Sequence, residues 1–437
     1  MNANKMSFNI LTNCCEPSIS TLPIAIIGAG PIGLAAAAHL SAKNEKFVIF
    51  ESGHSVGFNI LQWSHVRLFS SWNYNVDKVA VKLLENSAWK APLMKRLPFG
   101  KELVEDYLMP LANLAEINPY IKLNSKVVAI SKQGLDKMKN AERGEQSFII
   151  YVERDGHTER IQAKAVIDAT GTWGQPNPVN ADNVWTQQER SLSSRITYGI
   201  PDVKEKDRST FEHKRVAVVG GGHSAINTIL ELANLEGTEI VWILRKNRVD
   251  EVYGGEALDA LPARGQLGSR IHQLVDSGKI NIYTPFLIHQ VIEEDGTLTV
   301  QGSSKQKDSS IHNIDQIIAN TGSRPDFSFL REIRLEIDSA TESVSALAPL
   351  IDPNIHSCGT VRPHGEAERR QPEKNFYVVG MKSYGRAPTF LMATGYEQVR
   401  SIVAHLTGDQ EAAIRVELDL PETGVCSSTI GGKSSCC

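Results

Sequence analysis

Short apolar runs recur along the chain, and most of them end at a glycine turn or a charged residue. Ile24 to Ile27, Phe47 to Phe50, Ala165 to Ile167, Arg215 to Val219, Glu239 to Leu244 and Asp315 to Asn320 are of this kind. Runs without polar alternation predict strands buried on both faces, as in a parallel sheet. Leu34 to Leu40 and Ala225 to Leu235 read as helices between such strands. Strand and helix therefore alternate, and the fold class is α/β with Rossmann-like units. Tyr120 to Lys132, Ser147 to Val152 and Glu159 to Ala163 read as a small antiparallel insertion, the last two joined by a turn at Asp155-Gly156. Ile280 to Tyr283 and Leu298 to Gln301 are strand-like. Gly100 to Leu114 reads as a helix that Pro110 should kink or interrupt. Asn375 to Val379 is a strand ending in Gly380, followed by a helix from about Thr389 to His405.

Three stretches lack periodicity. Residues 53–83 are rich in Trp63, His65, Arg67, Trp72 and Asn73 and read as a loop. Its aromatics either cover a planar ring or pack on the core. Ser191 to Glu212 is polar and reads as a linker, and Val252 to Gly268 reads as a Gly-rich loop near a nicotinamide.

The chemistry begins where the first strand stops. Gly28, Gly30 and Gly33 give G-x-G-x-x-G, with Pro31 at the first helical turn. Such a loop brings backbone amides and a helix N-terminus to a pyrophosphate. Glu51 ends the following strand, where a carboxylate bonds ribose hydroxyls. The pattern repeats at Gly220, Gly222 and Ala225, with His223 and Ser224 within it as further cofactor-binding candidates. The second copy ends in Arg245, Lys246 and Arg248 instead of a carboxylate. An arginine there accommodates a 2′-phosphate. The first site is thus expected to hold FAD and the second NADPH. Thr170-Gly171 and Thr321-Gly322 are matching strand ends, and the helix that follows Gly380, opening at Thr389 and Phe390, is expected to aim its N-terminus at the flavin.

This order predicts three-layer ββα domains, the NADPH domain inserted in the FAD domain. The expected divisions are a flexible lead over 1–21, FAD-binding segments over 22–195 and 336–415, an NADPH-binding segment over 196–335, and a flexible tail over 416–437.

Composition narrows the function class. The 437 residues are 41% hydrophobic and 22% charged, with a formal net charge of -4. A nucleic-acid partner would need a basic face. No apolar run approaches the roughly 20 residues of a membrane span, and the N-terminus is not a convincing signal peptide. A cytoplasmic protein without nucleic-acid or membrane partners is expected. Neither the C-x-x-C nor the C-x4-C of a flavin-linked dithiol occurs among the six cysteines, Cys14, Cys15, Cys358, Cys426, Cys436 and Cys437. Oxygen is then the natural electron acceptor. No metal site is expected.

The paired fingerprints resemble the flavin-binding monooxygenase and pyridine-nucleotide oxidoreductase superfamily over about residues 22 to 410. More narrowly, WSHVRLFS, PLIDPNIHSCGTVRPHG, VGMKSYGRAPTFLMATGYEQVRS and LPETGVCS resemble the ArsO-like flavoproteins of bacterial arsenic-resistance clusters. The resemblance implies an NADPH-dependent flavin enzyme that oxidises trivalent arsenicals, organic ones in particular, with O2. It assigns FAD to Gly28, Gly30, Gly33 and Glu51, and NADPH to Gly220, Gly222 and Arg245. Two departures stand out. The F-x-G-x-x-x-H signature is replaced by SSRITYGIPD, and Gly380-Met381 stands where disulfide reductases have G-D. Thiolates select soft centres such as trivalent arsenic, which makes Cys358 and the tail thiols Cys426, Cys436 and Cys437 the candidate catalytic residues. Two alternatives stay open: a thiol or metalloid reductase using Cys436 and Cys437, and a non-catalytic metalloid-binding flavoprotein. A homodimer is the expected assembly.

Overall fold

The computed structural model describes residues 18–259, 261–355, 364–388 and 390–418. In chain order the strands are β1 (Ile24–Ile27), β2 (Phe47–Phe50), β3 (Ile121–Lys122), β4 (Lys126–Lys132), β5 (Phe148–Arg154), β6 (His157–Ala163) and β7 (Ala165–Asp168). They continue as β8 (Ile196–Tyr198), β9 (Arg215–Val219), β10 (Glu239–Ile243), β11 (Ile280–Tyr283), β12 (Leu287–Glu294), β13 (Thr297–Ser304), β14 (Lys307–Ile314), β15 (Gln316–Ala319) and β16 (Phe376–Val378). The helices that matter below are α1 (Pro31–Ala42), α2 (Lys78–Glu85), α3 (His223–Leu232), α4 (Pro262–Asp276) and α5 (Met392–Leu406).

Two five-stranded parallel sheets result, ordered β16-β7-β1-β2-β3 and β11-β10-β9-β15-β8. Each carries a three-stranded antiparallel sheet, β4-β5-β6 or β12-β13-β14. The second sheet is built from chain lying between β7 and β16, two neighbours in the first. One Rossmann-like unit therefore interrupts the other.

Alternation along the central strands explains the three layers. Ile24 and Ile26 of β1 pack with Leu34 of α1 and Val399 and Ile402 of α5. Ala25 and Ile27 face the other way, onto Ile130, Phe148 and Ile150 of the antiparallel sheet. In the second unit Val216 and Val218 of β9 meet Ile226 and Ile229 of α3 and Ile271 of α4. Ala217 and Val219 meet Val291, Leu298, Val300 and Ile311. A strand enclosed on both faces must be apolar throughout, because side chains of period two reach both layers.

Where periodicity was missing, burial supplies the structure. The 53–83 stretch is not one loop. Asp77 caps α2 by accepting the Val79 and Ala80 amides at 2.9 and 2.8 Å, and the His39 ring of α1 meets its other oxygen at 3.1 Å. Trp72 is fully buried. The expected linker over 191–212 contains β8, which pairs in parallel with β15. The expected Gly-rich loop over 252–268 ends early, because α4 starts at Pro262, a residue suited to a first helical turn. The single strand expected over Tyr120 to Lys132 is divided by a turn in which Asn124 takes a φ of 50°.

Pro110 does not break its helix. Gly100–Leu103, Val104–Leu108 and Met109–Ala112 run on continuously, the middle segment with π-type bonding, Met109 N–H to Val104 carbonyl. The proline cannot donate to the Asp106 carbonyl. That carbonyl instead accepts the Trp89 indole N–H at 2.6 Å.

Candidate functional site

The two glycine loops share one construction. Gly28 has a φ of +98°, and a Cβ placed there would lie 2.9 Å from the Ala169 carbonyl oxygen. Gly220 has a φ of +130°, and its Cβ would lie 2.3 Å from the Asn320 carbonyl oxygen. Each turn thus passes beneath the end of a neighbouring strand, β7 or β15, and only glycine takes that path. Gly33 sits against the loop itself, with a would-be Cβ 1.9 Å from the Gly28 oxygen. Gly30 and Gly222 differ, since a Cβ at either meets nothing within 4 Å. They are the N-cap residues of α1 and α3, and neither helix has a side-chain cap. Uncapped first-turn amides facing open space form an anion cradle. Both loops therefore fit a dinucleotide pyrophosphate.

At the strand ends the two sites diverge. Glu51 is buried and accepts the Ala29 amide at 2.8 Å and the Gly53 amide at 2.7 Å. The carboxylate ties the glycine loop to the residues after β2, and its remaining lone pairs are those available to a ribose. Arg245 is exposed at the end of β10 and makes no ion pair or hydrogen bond among the described residues. Lys246 is engaged, its Nζ donating to the Glu251 carbonyl at 2.9 Å, and Arg248 pairs with Asp250 at 2.8 Å. Of the three cations, Arg245 is the one left to meet a ligand.

Behind the first loop lies a group that sequence reasoning did not single out. Lys382 Nζ contacts Asp168 at 2.6 Å with neither side chain exposed. It also donates to Thr170 Oγ1 at 3.1 Å, while Thr170 donates to Asp168 at 2.8 Å. The Phe327 and Phe329 rings stand 5.1 and 4.5 Å from the ammonium. Thr170 is thereby locked at the strand end, and Gly171 after it takes a φ of +68° with open space at its Cβ position. Just after β16, the Gly380 amide donates to Gln398 of α5 at 2.7 Å. Phe390 packs edge-on against Tyr384 at 5.3 Å.

The structure puts Trp63 6.3 Å from Trp173, whose indole donates to Gln62 at 2.9 Å. Trp63 also fills the space beside Gly100. Arg67 stacks on Phe99 at 4.9 Å. Trp63 and Arg67 thus each have a protein ring as partner. Phe69, from the same stretch, reaches the second unit, with its ring 5.5 Å from that of His223. Burial, then the nearby Arg264 guanidinium, pushes the His223 imidazole down to about 4, so it is neutral at physiological pH. Ser224 follows it in the first turn of α3. The chain crossings between the units are bonded to each other. Asn177 donates from its backbone to the Gly322 carbonyl at 2.9 Å, Thr321 Oγ1 donates to the Asn177 carbonyl at 2.7 Å, and Ser323 donates to Thr172 at 2.9 Å.

Cys358, Cys426, Cys436, Cys437 and Thr389, together with Cys14 and Cys15, lie outside the described residues. Among the described residues, no helix is long and apolar enough to cross a membrane.

Comparison with known proteins agrees with this geometry. Residues 25–346 match the family described as pyridine nucleotide-disulphide oxidoreductase. A ferredoxin–NADP reductase of Ligilactobacillus salivarius is 23% identical over 376 residues, covering 85% of this chain and 90% of that protein. Among solved structures, a bacillithiol disulfide reductase of Bacillus cereus superposes with a TM-score of 0.59 at 19% identity, covering 88% of this chain and 99% of the other. A flavin monooxygenase of Stenotrophomonas maltophilia gives 0.56 at 17% identity, covering 88% and 98%. These likenesses show the fold. The chain belongs to the pyridine nucleotide-disulphide oxidoreductase family. It is an oxidoreductase, with FAD and NADPH as its cofactors.

Proposed function

We propose that this oxidoreductase takes electrons from NADPH through FAD to O2 and oxygenates a trivalent arsenical, an organic one in the first instance. The Gly28–Gly33 loop and the α1 N-terminus would hold the FAD pyrophosphate, Glu51 its ribose, and Thr170, Gly171 and Gly380 the chain toward the flavin. Gly220, Gly222, His223 and Ser224 would face the NADPH pyrophosphate, and Arg245 the 2′-phosphate. The bound pair of cofactors supplies hydride transfer and activation of oxygen. The protein's part is to hold the two in register across the bonded crossings and to shield the reacting face from water.

The observation that carries this reading is the lack of a C-x-x-C or C-x4-C dithiol anywhere in the chain. Without such a pair, and unless the tail cysteines fold back to the flavin, its electrons go to another acceptor, O2. The balance is one NADPH, one proton, one O2 and one trivalent arsenical, giving NADP+, water and the pentavalent arsenical that carries the other oxygen atom. The arsenical assignment rests on the resemblance of WSHVRLFS and the segments around Cys358 and Gly380 to the arsenic-cluster flavoproteins. Purified holoprotein should consume NADPH and O2 in a 1:1 ratio, faster when a trivalent methylarsenical is added. No acceleration by the arsenical would sink the proposal.

A second reading draws on the family itself, whose matched relatives include reductases. The tail pair Cys436 and Cys437 would then relay electrons to a thiol or a metalloid. Deleting residues 426–437 would abolish turnover while leaving reduction of the flavin by NADPH intact. Unchanged turnover would exclude it.

A further inference from the structure

The second glycine loop has a neighbour that no fingerprint contains. Arg264 lies in the first turn of α4 and is almost wholly buried, its side chain 1% exposed. Two of its nitrogens grip Asp259, Nε at 2.7 Å and Nη2 at 2.6 Å. The third, Nη1, is buried and has no hydrogen-bond partner among the described residues. A buried N–H of a charged group left without an acceptor is costly, and it is a place to ask what acceptor is missing.

The surroundings answer. Helix α4 packs against α3 through Ile271 and Ile229. The α3 N-terminus is uncapped, and Gly222 above it opens on empty space. His223, the first residue of α3, is kept neutral by burial first and by the nearby Arg264 charge second. The Phe69 ring touches both, 5.5 Å from the His223 ring and 6.0 Å from the Arg264 guanidinium carbon. Arg264 and the α3 amides therefore border one site, and both offer only donors to it. His223, held neutral, adds no competing charge.

We propose that Arg264, oriented by Asp259, is the cation that receives the NADPH diphosphate at the second loop. Arg245 stands apart at the end of β10, where the 2′-phosphate is read, so two arginines divide the two anionic groups of one cofactor. A guanidinium already held on two nitrogens presents the third in a fixed direction, which a lysine does not reproduce. Because the diphosphate is common to both nicotinamide cofactors, Arg264 binds NADPH and NADH alike, whereas Arg245 separates them.

This rests on the second loop being the NADPH site, and the test separates the two claims. The Kd of NADP+ and of adenosine 2′-monophosphate is measured on the oxidised FAD holoprotein for the unmodified chain, Arg264→Met and Arg264→Lys. The expected result is NADP+ binding weakened at least 10-fold by Arg264→Met and several-fold by Arg264→Lys, with adenosine 2′-monophosphate unaffected. NADP+ binding unchanged in either variant overturns the assignment, as does an equal loss for both ligands. If Arg264→Met does not yield holoprotein, Arg264→Lys, which keeps the charge beside Asp259, decides alone by the same criteria. Failure of the unmodified protein to bind NADP+ overturns the functional reading together with this one.

Discussion

The Lys382 ammonium and the Asp168 carboxylate meet at 2.6 Å with both side chains sealed from solvent. Asp168 closes β7 just before Ala169, whose carbonyl covers the Gly28 turn, and Lys382 comes from the chain's return after β16. Removing one partner leaves a buried charge alone, which costs about 3–5 kcal/mol. Lys382→Met is therefore expected to lower stability by that order in denaturant unfolding and to reduce bound FAD. The double variant Lys382→Met with Asp168→Leu should recover much of the stability. A single variant that unfolds at the wild-type denaturant concentration would refute this account of the pair.

The open cradle and the crowded one call for different outcomes. A Cβ at Gly33 would lie 1.9 Å from the Gly28 oxygen, whereas one at Gly30 meets no protein atom within 4 Å. Gly33→Ala should impair folding. Gly30→Ala should leave the apoprotein's Tm nearly unchanged and still lower the FAD-to-protein ratio, because the methyl occupies ligand space. Full flavin occupancy in Gly30→Ala would show that the ligand does not approach there.

Arg245 is exposed and unpaired among the described residues, so removing it should harm only cofactor choice. A hydrogen bond to a charged group is worth about 1.5–3 kcal/mol. Arg245→Ala is expected to weaken NADPH about 10-fold or more and leave NADH unaffected, as read from the ratio of kcat/KM values. Equal losses for the two cofactors would contradict the assignment.

His223 gives a pH signature. Its imidazole is depressed from 6.5 to about 4 by burial first and the Arg264 charge second. Between those two values the folded protein holds fewer protons than the unfolded chain. The contribution of His223 to stability is therefore complete above pH 6.5 and is lost as pH falls toward 4. The loss is on the order of 1–3 kcal/mol, reduced by whatever solvent reaches the ring. His223→Gln should flatten the stability profile across that window. A profile that keeps its slope in the variant would assign the effect elsewhere.

The strands that carry the loops were legible because enclosure on both faces leaves an unbroken apolar run, as in Ile24–Ile27 and Arg215–Val219. The glycine spacings were legible because steric limits on a turn are local. What escaped was fixed by distant partners. Residues 53–83 showed no periodicity because their helices are short and held by contacts such as His39 with Asp77. β8 looked like linker because its three residues gain order only beside β15. Pro110 promised a break, and the Trp89 indole that satisfies the freed carbonyl lies in another segment. Arg264 left one signal in the sequence, its place two residues after Pro262 at a helix start, and its unmet N–H is visible only once Asp259 is seen to hold the other two.

The carbonyls over the two turn glycines carry a consequence for how the molecule assembles. Gly28 waits for Ala169 and Gly220 for Asn320, each from a strand made much later in synthesis. Neither cradle is complete in a nascent chain that has only its fingerprint. A fragment ending before β7 would therefore carry the whole first motif and no finished cradle.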